Sequence, residues 1–175
     1  MVVEHLERTR DAFVAAVDGL SEAQYRFRPR PDGWSIGDIV EHVALAEQRI
    51  VDLVVNSLPQ APAPTGDKTR GSARFTRLDA TIPTRAQHRI VAPPALVPKG
   101  TWTSPAHSLA AFVEARRRGI AAAAAVHAEA LEHVLPHRFL GDFDLEEWLY
   151  FSSLHSVRHS EQVAEIKAAD GFPSI

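Results

Sequence analysis

A chain of 175 residues with 45% apolar side chains is long enough to form one domain, residues 1–175, around a sizeable core. Its net charge of −3 argues against general nucleic-acid binding, which favours a clustered basic surface, and no run approaches the roughly 20 apolar residues that span a bilayer. Zero cysteines exclude disulfides, thiolate ligands and a cysteine nucleophile, so any metal must be held by imidazole, carboxylate or water.

The start, Met1-Val2-Val3-Glu4-His5, lacks the basic and apolar regions of a secretory signal, which makes a cytoplasmic location the expectation. From there the pattern is all-α, with four helical segments. The first runs from about Val3 to Val17, with Leu6, Phe13 and Val17 on one face and Gly19 as a stop. A polar connector, Ser21 to Gly33, carries Pro29 and Pro31 and is non-helical at its end.

The second helix opens at Trp34-Ser35-Ile36-Gly37-Asp38-Ile39. Ser35 is the N-cap, Asp38 makes a short-armed capping box, and Trp34 with Ile39 holds the positions of a hydrophobic staple. Ile36, Ile39, Val43, Ile50 and Val54 then recur at helical spacing, with His42 at the margin of that face.

Leu58 to Thr103 holds seven prolines and reads as a long, mostly irregular loop, with Arg74 to Leu78 and Arg89 to Val91 as short extended pieces. Asp67 to Lys99 carries seven Lys/Arg against two Asp, a local +5 that leaves −8 for the rest of the chain. Two readings stand for this stretch: a solvated basic loop, or an arm over the bundle mouth that attracts an anionic substrate.

Ser104-Pro105 announces the third helix, which continues through Leu109, Phe112, Val113 and Ile120 into Ala121–Ala125, small residues that admit a close neighbour; Pro136 ends the pattern. The last helix begins after Asp144, a cap completed by Glu147, with Phe143 and Trp148 as staple. At 100° per residue Trp148, Ser152, His155, His159, Gln162 and Ile166 share one inward face.

That placement makes the histidines the chemical signal of the chain. His155 and His159 stand at i and i+4 on an uninterrupted helix, where two imidazoles can converge on one ion. The spacing alone is weak in a chain with nine histidines: His133 and His137 share it, but Pro136 breaks the helix between them. His42 comes from another helix, so the residues leave two readings open, a three-histidine site or ordinary core and rim histidines bonded to backbone or to each other. His5, His88, His107 and His127 lack matching partners and read as surface residues. There is no HExxH, no Glu followed by His three residues later, no GxSxG elbow and no GxxxxGK loop.

Trp34-Ser35-Ile36 followed by Glu41-His42-Val43, Pro136-His137 before Gly141, and Leu145-Glu146-Glu147-Trp148 leading into His155-x-x-Arg158-His159-x-x-Gln162 resemble the DinB-like superfamily of four-helix-bundle metal proteins. The resemblance implies a four-helix bundle and one divalent ion, zinc or nickel, on His42, His155 and His159. It further implies a homodimer acting on a small-molecule substrate; family members include S-transferases and isomerases that use a low-molecular-weight thiol such as bacillithiol or mycothiol. The basic loop matches no part of that pattern.

Three protein ligands leave an open position, the catalytic rather than structural pattern. Two chemistries follow: activation of a thiol brought in from outside, since the chain has none, or activation of water in a hydrolase. Gln162 and Arg158 are the candidates for a catalytic role: Gln162 shares the histidine face and either contacts substrate or an ion's water or makes a plain bundle hydrogen bond, and Arg158 is adjacent to the site. Glu41 and Glu47 are either acceptors for ligand N–H groups or, as the plainer reading, solvated helix charges. The plainer reading of Arg158 is a pair with Glu161 or Glu165, and Trp34 and Trp148 read as core. A non-enzymatic metal-binding helical module is the remaining alternative.

Overall fold

The computed structural model of the chain describes residues 1–63, 73–82, 91–102 and 104–174. Four long helices dominate: α1 (Val2–Val17), α3 (Ile36–Asp52), α5 (Pro105–Ala124) and α6 (Leu145–Lys167), with the short α2 (Glu22–Arg26) between the first two. The closest packing is of α3 on α5 and α1 on α6; α3–α6 and α1–α5 contacts close the ring. Consecutive long helices α1 and α3 therefore stand at opposite corners of a four-helix bundle. No helix among the described residues is long and apolar enough to cross a membrane.

Local chemistry sets where these helices begin. Ser35 Oγ accepts from the Asp38 N–H at 3.2 Å while Asp38 Oδ2 accepts from the Ser35 N–H at 2.7 Å; Asp144 and Glu147 do the same at 2.9 and 3.1 Å. Each box satisfies two backbone donors that a helix start leaves orphaned. Phe143 and Trp148 pack edge-on, with centroids 5.3 Å apart, as the staple requires. Ser21 and Gln24 build a third box at α2.

Three local expectations need correction. The 58–103 stretch is not without helix: α4 (Ala73–Thr81) covers Arg74 to Leu78, expected to be extended, because Phe75, Leu78 and Ile82 all bury against α6 and its neighbours. Burial of one stripe outweighs the weak helix propensity of Phe and Thr. Of the proposed Arg89–Val91 piece, residues 89 and 90 lie outside the described residues, as does His88. The third helix stops at Ala124, well before Pro136, and most of the alanine run faces outward. Close approach occurs one turn earlier, at Gly119, where a Cβ would sit 3.2 Å from Val51 and 3.3 Å from Leu149.

After α5 the chain forms a hairpin, β1 (Leu135–His137) against β2 (Gly141–Phe143), antiparallel with Leu135 opposite Phe143. Gly141 turns it at φ +79°, a conformation open to glycine at little cost. The apolar core divides in two. Phe13, Val17, Ile39, Val43, Phe112 and Val163 fill one part; Leu6, Val54, Leu78, Leu149, Trp148 and Phe143 fill the other.

Alongside these apolar clusters lies a buried polar network to which every long helix contributes. Arg116 of α5, 0% exposed, donates to both carboxylate oxygens of Glu47 on α3 (2.6 and 2.9 Å), to Leu6 O and Thr9 Oγ1 on α1 (2.9 Å each), and to Ser156 Oγ on α6 (2.6 Å). Ser152 Oγ also donates to Glu47. Glu47 is thus an ion-pair partner, neither a solvated charge nor an acceptor for a histidine. No local motif announced Arg116, although it shares a helix face with Phe112 and Gly119 while Arg117 and Arg118 point out.

Candidate metal centre

His42 leaves the margin of α3 with 4% exposure, and His155 and His159 leave α6 one turn apart, His159 6% exposed and His155 half-buried. The α3–α6 packing brings all three together. Their Nε2 atoms face one another: His42 to His155 at 3.3 Å, and His159 to His155 at 3.2 Å. One ring nitrogen from each of the three falls within 4.8 Å of the others.

Neighbours decide which nitrogen faces inward. The Leu96 carbonyl accepts from His42 Nδ1 at 2.7 Å, and Gln162 Oε1 accepts from His159 Nδ1 at 2.9 Å. A carbonyl oxygen only accepts, so the proton of each ring sits on Nδ1 and Nε2 keeps its lone pair. One proton on His155 Nε2 serves a single neighbour at a time; one cation would serve all three rings. Tetrahedral coordination by imidazole at about 2.0–2.1 Å puts the donors about 3.3–3.4 Å apart. The two Nε2 separations match that edge, so these residues fit a divalent ion.

Electrostatics keep the rings in the state a ligand needs. Burial lowers the pKa of His42, partly offset by its bond to Leu96. Burial, then the positive character of His159, His42, Arg158 and Arg116, pushes His155 well below the ordinary 6.5. Neutral imidazole is the metal-binding form.

Residues around the rings take roles that spacing alone did not assign. Trp34 packs against the apolar cluster and also lies 4.8 Å from the His42 ring, so it is more than core. Trp148 is core, as expected. Arg158 is buried and donates to Ile82 O at the end of α4, 3.2 Å away. Glu41 is 7% exposed, not solvated: its oxygens accept from the backbone N–H groups of Lys99 (2.9 Å), Gly100 (3.1 Å) and Thr101 (2.9 Å). Burial would raise the pKa of that carboxyl, but those bonds, with one from the Thr101 side chain, hold it below the usual carboxylate range. His5 is not simply at the surface either, for its ring packs at a tilt against Tyr150, with centroids 4.6 Å apart.

A row of aromatic rings leads from the hairpin to the histidines. His137 contacts Phe143, Trp148 and Phe151 at 5.1, 5.4 and 4.7 Å, and Phe151 lies 6.2 Å from His155. The sequence marks His137 as part of the approach to the last helix, with no sign of these ring contacts.

A family model of the DinB superfamily matches residues 5–163, nearly the whole chain and all three histidines. The chain belongs to the DinB superfamily. YuaE of Bacillus subtilis (strain 168), itself described as uncharacterised, is 22% identical over 157 residues, 85% of this chain and 86% of YuaE. Two solved structures share the fold. YfiT from Bacillus subtilis, described as a probable metal-dependent hydrolase with an unusual four-helix bundle topology, superposes with a TM-score of 0.60 at 17% identity over 98% of this chain and 87% of YfiT. TT2238, described as a four-helix bundle protein, gives 0.57 at 18% identity over 94% and 96%.

Proposed function

We propose that this DinB protein is a metal-dependent enzyme in which His42, His155 and His159 hold one divalent ion, zinc or nickel, and that it transfers a low-molecular-weight thiol to a small electrophile. The observation that carries the metal reading is the convergence of His42 and His159 Nε2 on His155 Nε2, at 3.3 and 3.2 Å, while Leu96 O and Gln162 Oε1 take the opposite nitrogens of two of the rings. An ion with three imidazole ligands and an open position supplies Lewis acidity, lowering the pKa of a thiol or water that reaches it. The chain's own residues do the positioning. Leu96 and Gln162 orient two rings, the apolar wall around His42 and His155 keeps them neutral, and Trp34 supports the face of His42.

The absence of any cysteine means the sulfur must arrive with a co-substrate, and the partly exposed Phe151 ring beside His155 offers an apolar contact to the acceptor. A second reading, metal-dependent hydrolysis of a small substrate, is favoured by the description of YfiT. The family resemblance also supports a homodimer as the working form.

Metal analysis of protein purified without chelators tests the first step. About one zinc or nickel per chain is expected, lost in His159→Ala with the helical circular-dichroism spectrum retained; wild-type protein that holds no metal ends the proposal. A model electrophile is then offered with and without added thiol. A rate that rises with thiol supports transfer, and one indifferent to thiol moves the assignment to hydrolysis.

A further inference from the structure

Glu41 and His42 are neighbours on α3, and both reach the same covering segment. Glu41 grips the backbone N–H groups of Lys99, Gly100 and Thr101, while His42 Nδ1–H is received by Leu96 O. Only Val97 and Pro98 separate the two anchorages, a span of at most about 10–14 Å of extended chain.

The segment is also stiff. Pro93, Pro94 and Pro98 restrict its backbone, and Leu96 N–H closes a tight turn onto Pro93 O at 2.8 Å. Gly100 sits at φ +73°, between the two neighbours whose amides converge with its own on the Glu41 carboxylate. A short, stiff connection transmits position: where residues 99–101 are held fixes where the Leu96 carbonyl lies.

We propose that Glu41 is a positioning residue of the metal centre: its hold on Lys99–Thr101 keeps the Leu96 carbonyl against His42 Nδ1 and thereby turns His42 Nε2 toward His155 and His159. The inference rests on the metal reading above, because a partner on the outer nitrogen sets the tautomer and orientation of a ligand histidine. Gln at position 41 would keep one accepting oxygen but set an NH2 group against an N–H donor. The grip would fail although the size of the side chain is nearly unchanged.

The experiment compares wild type, Glu41→Gln and Glu41→Asp with Ser35→Ala, which weakens the start of α3 without touching the segment. Three quantities are read: zinc affinity by competition with a chromophoric chelator, the nitrogen NMR signature of the His42 tautomer in metal-free protein, and hydrogen exchange at Lys99–Thr101. In Glu41→Gln those amides should exchange faster, His42 should lose its fixed Nδ1–H form, and zinc affinity should fall about 10–100-fold. Ser35→Ala should leave all three in place.

Faster exchange at 99–101 with an unchanged His42 tautomer and unchanged zinc affinity would make Glu41 a mere staple and overturn the inference. If Glu41→Gln does not fold, Glu41→Asp, which keeps the charge and withdraws it by one methylene, carries the same comparison. Wild-type protein that binds no zinc overturns the metal reading, and the tautomer then decides by itself whether Glu41 governs His42.

Discussion

Arg116 with its partners, and His42 with His155 and His159, are two polar clusters that draw on the same helices, α3 and α6, and answer burial in opposite ways. Around Arg116 all five N–H donors meet an acceptor, from Glu47, Leu6, Thr9 and Ser156, and both Glu47 oxygens are occupied. In the histidine cluster, the Nε2 lone pairs of His42 and His159 both face His155 Nε2, at 3.3 and 3.2 Å, where a single proton can serve only one of them. The first cluster is chemically complete and holds helices together. The second is arranged around a point where a cation would be at home. Burial of polar groups is therefore not by itself the mark of a site; a complement left to be supplied from outside is.

The largest expected effect lies in the closed cluster. Glu47→Ala strands a fully buried guanidinium and should cost about 3–5 kcal/mol in equilibrium denaturant unfolding, a large share of the roughly 5–15 kcal/mol typical of a folded protein. Replacing both partners, Glu47→Leu with Arg116→Met, should cost less than either single change, because no unpaired charge remains. A cost for Glu47→Ala below about 1 kcal/mol would break the contrast.

A smaller effect separates the clusters by pH. The folded-state pKa values of His42 and His155 are depressed, so below 6.5 the unfolded chain binds protons that the metal-free fold excludes. Stability is fully present above 6.5 and is lost as pH falls toward the lowered values. His5 and His137, also depressed by burial first, act with the same sign. Unfolding midpoints at pH 7.5 and 5.5 in chelator measure this. A flat profile would mean the rings are not held neutral, and His155→Ala should flatten part of the slope.

The smallest effect is expected from His155→Ala on metal-free stability at pH 7.5, about 1 kcal/mol or less, because a neutral, half-buried ring leaves no stranded charge. The same variant should lose its metal. A loss as large as that of Glu47→Ala would show that the histidine cluster, too, is there chiefly to hold the bundle.

Legibility followed the range of the interaction. The boxes at Ser35 and Asp144, the staple of Phe143 and Trp148, and the shared face of His155 and His159 all act within one or two turns of a helix. Glu47 stands at core spacing from Val40, Val43 and Ile50, so its burial was readable, though its partner 69 residues away was not. Phe75, Leu78 and Ile82 carried a helical stripe that prolines on both sides obscured. Glu41 could not be read at all, since its partners are backbone amides about 60 residues distant, which have no side-chain signature.

The amino-acid order by itself determined four amphipathic helices, their capped starts and a pair of imidazoles on one inward stripe, because spacing along a single helix sets which residues share a face. The meeting of His42 with that pair, the completion of Arg116 by three other helices and the docking of Leu96 on His42 were decided only by tertiary packing. Each depends on distances between helices, and the periodicity of one helix carries no information about how far away its neighbour lies.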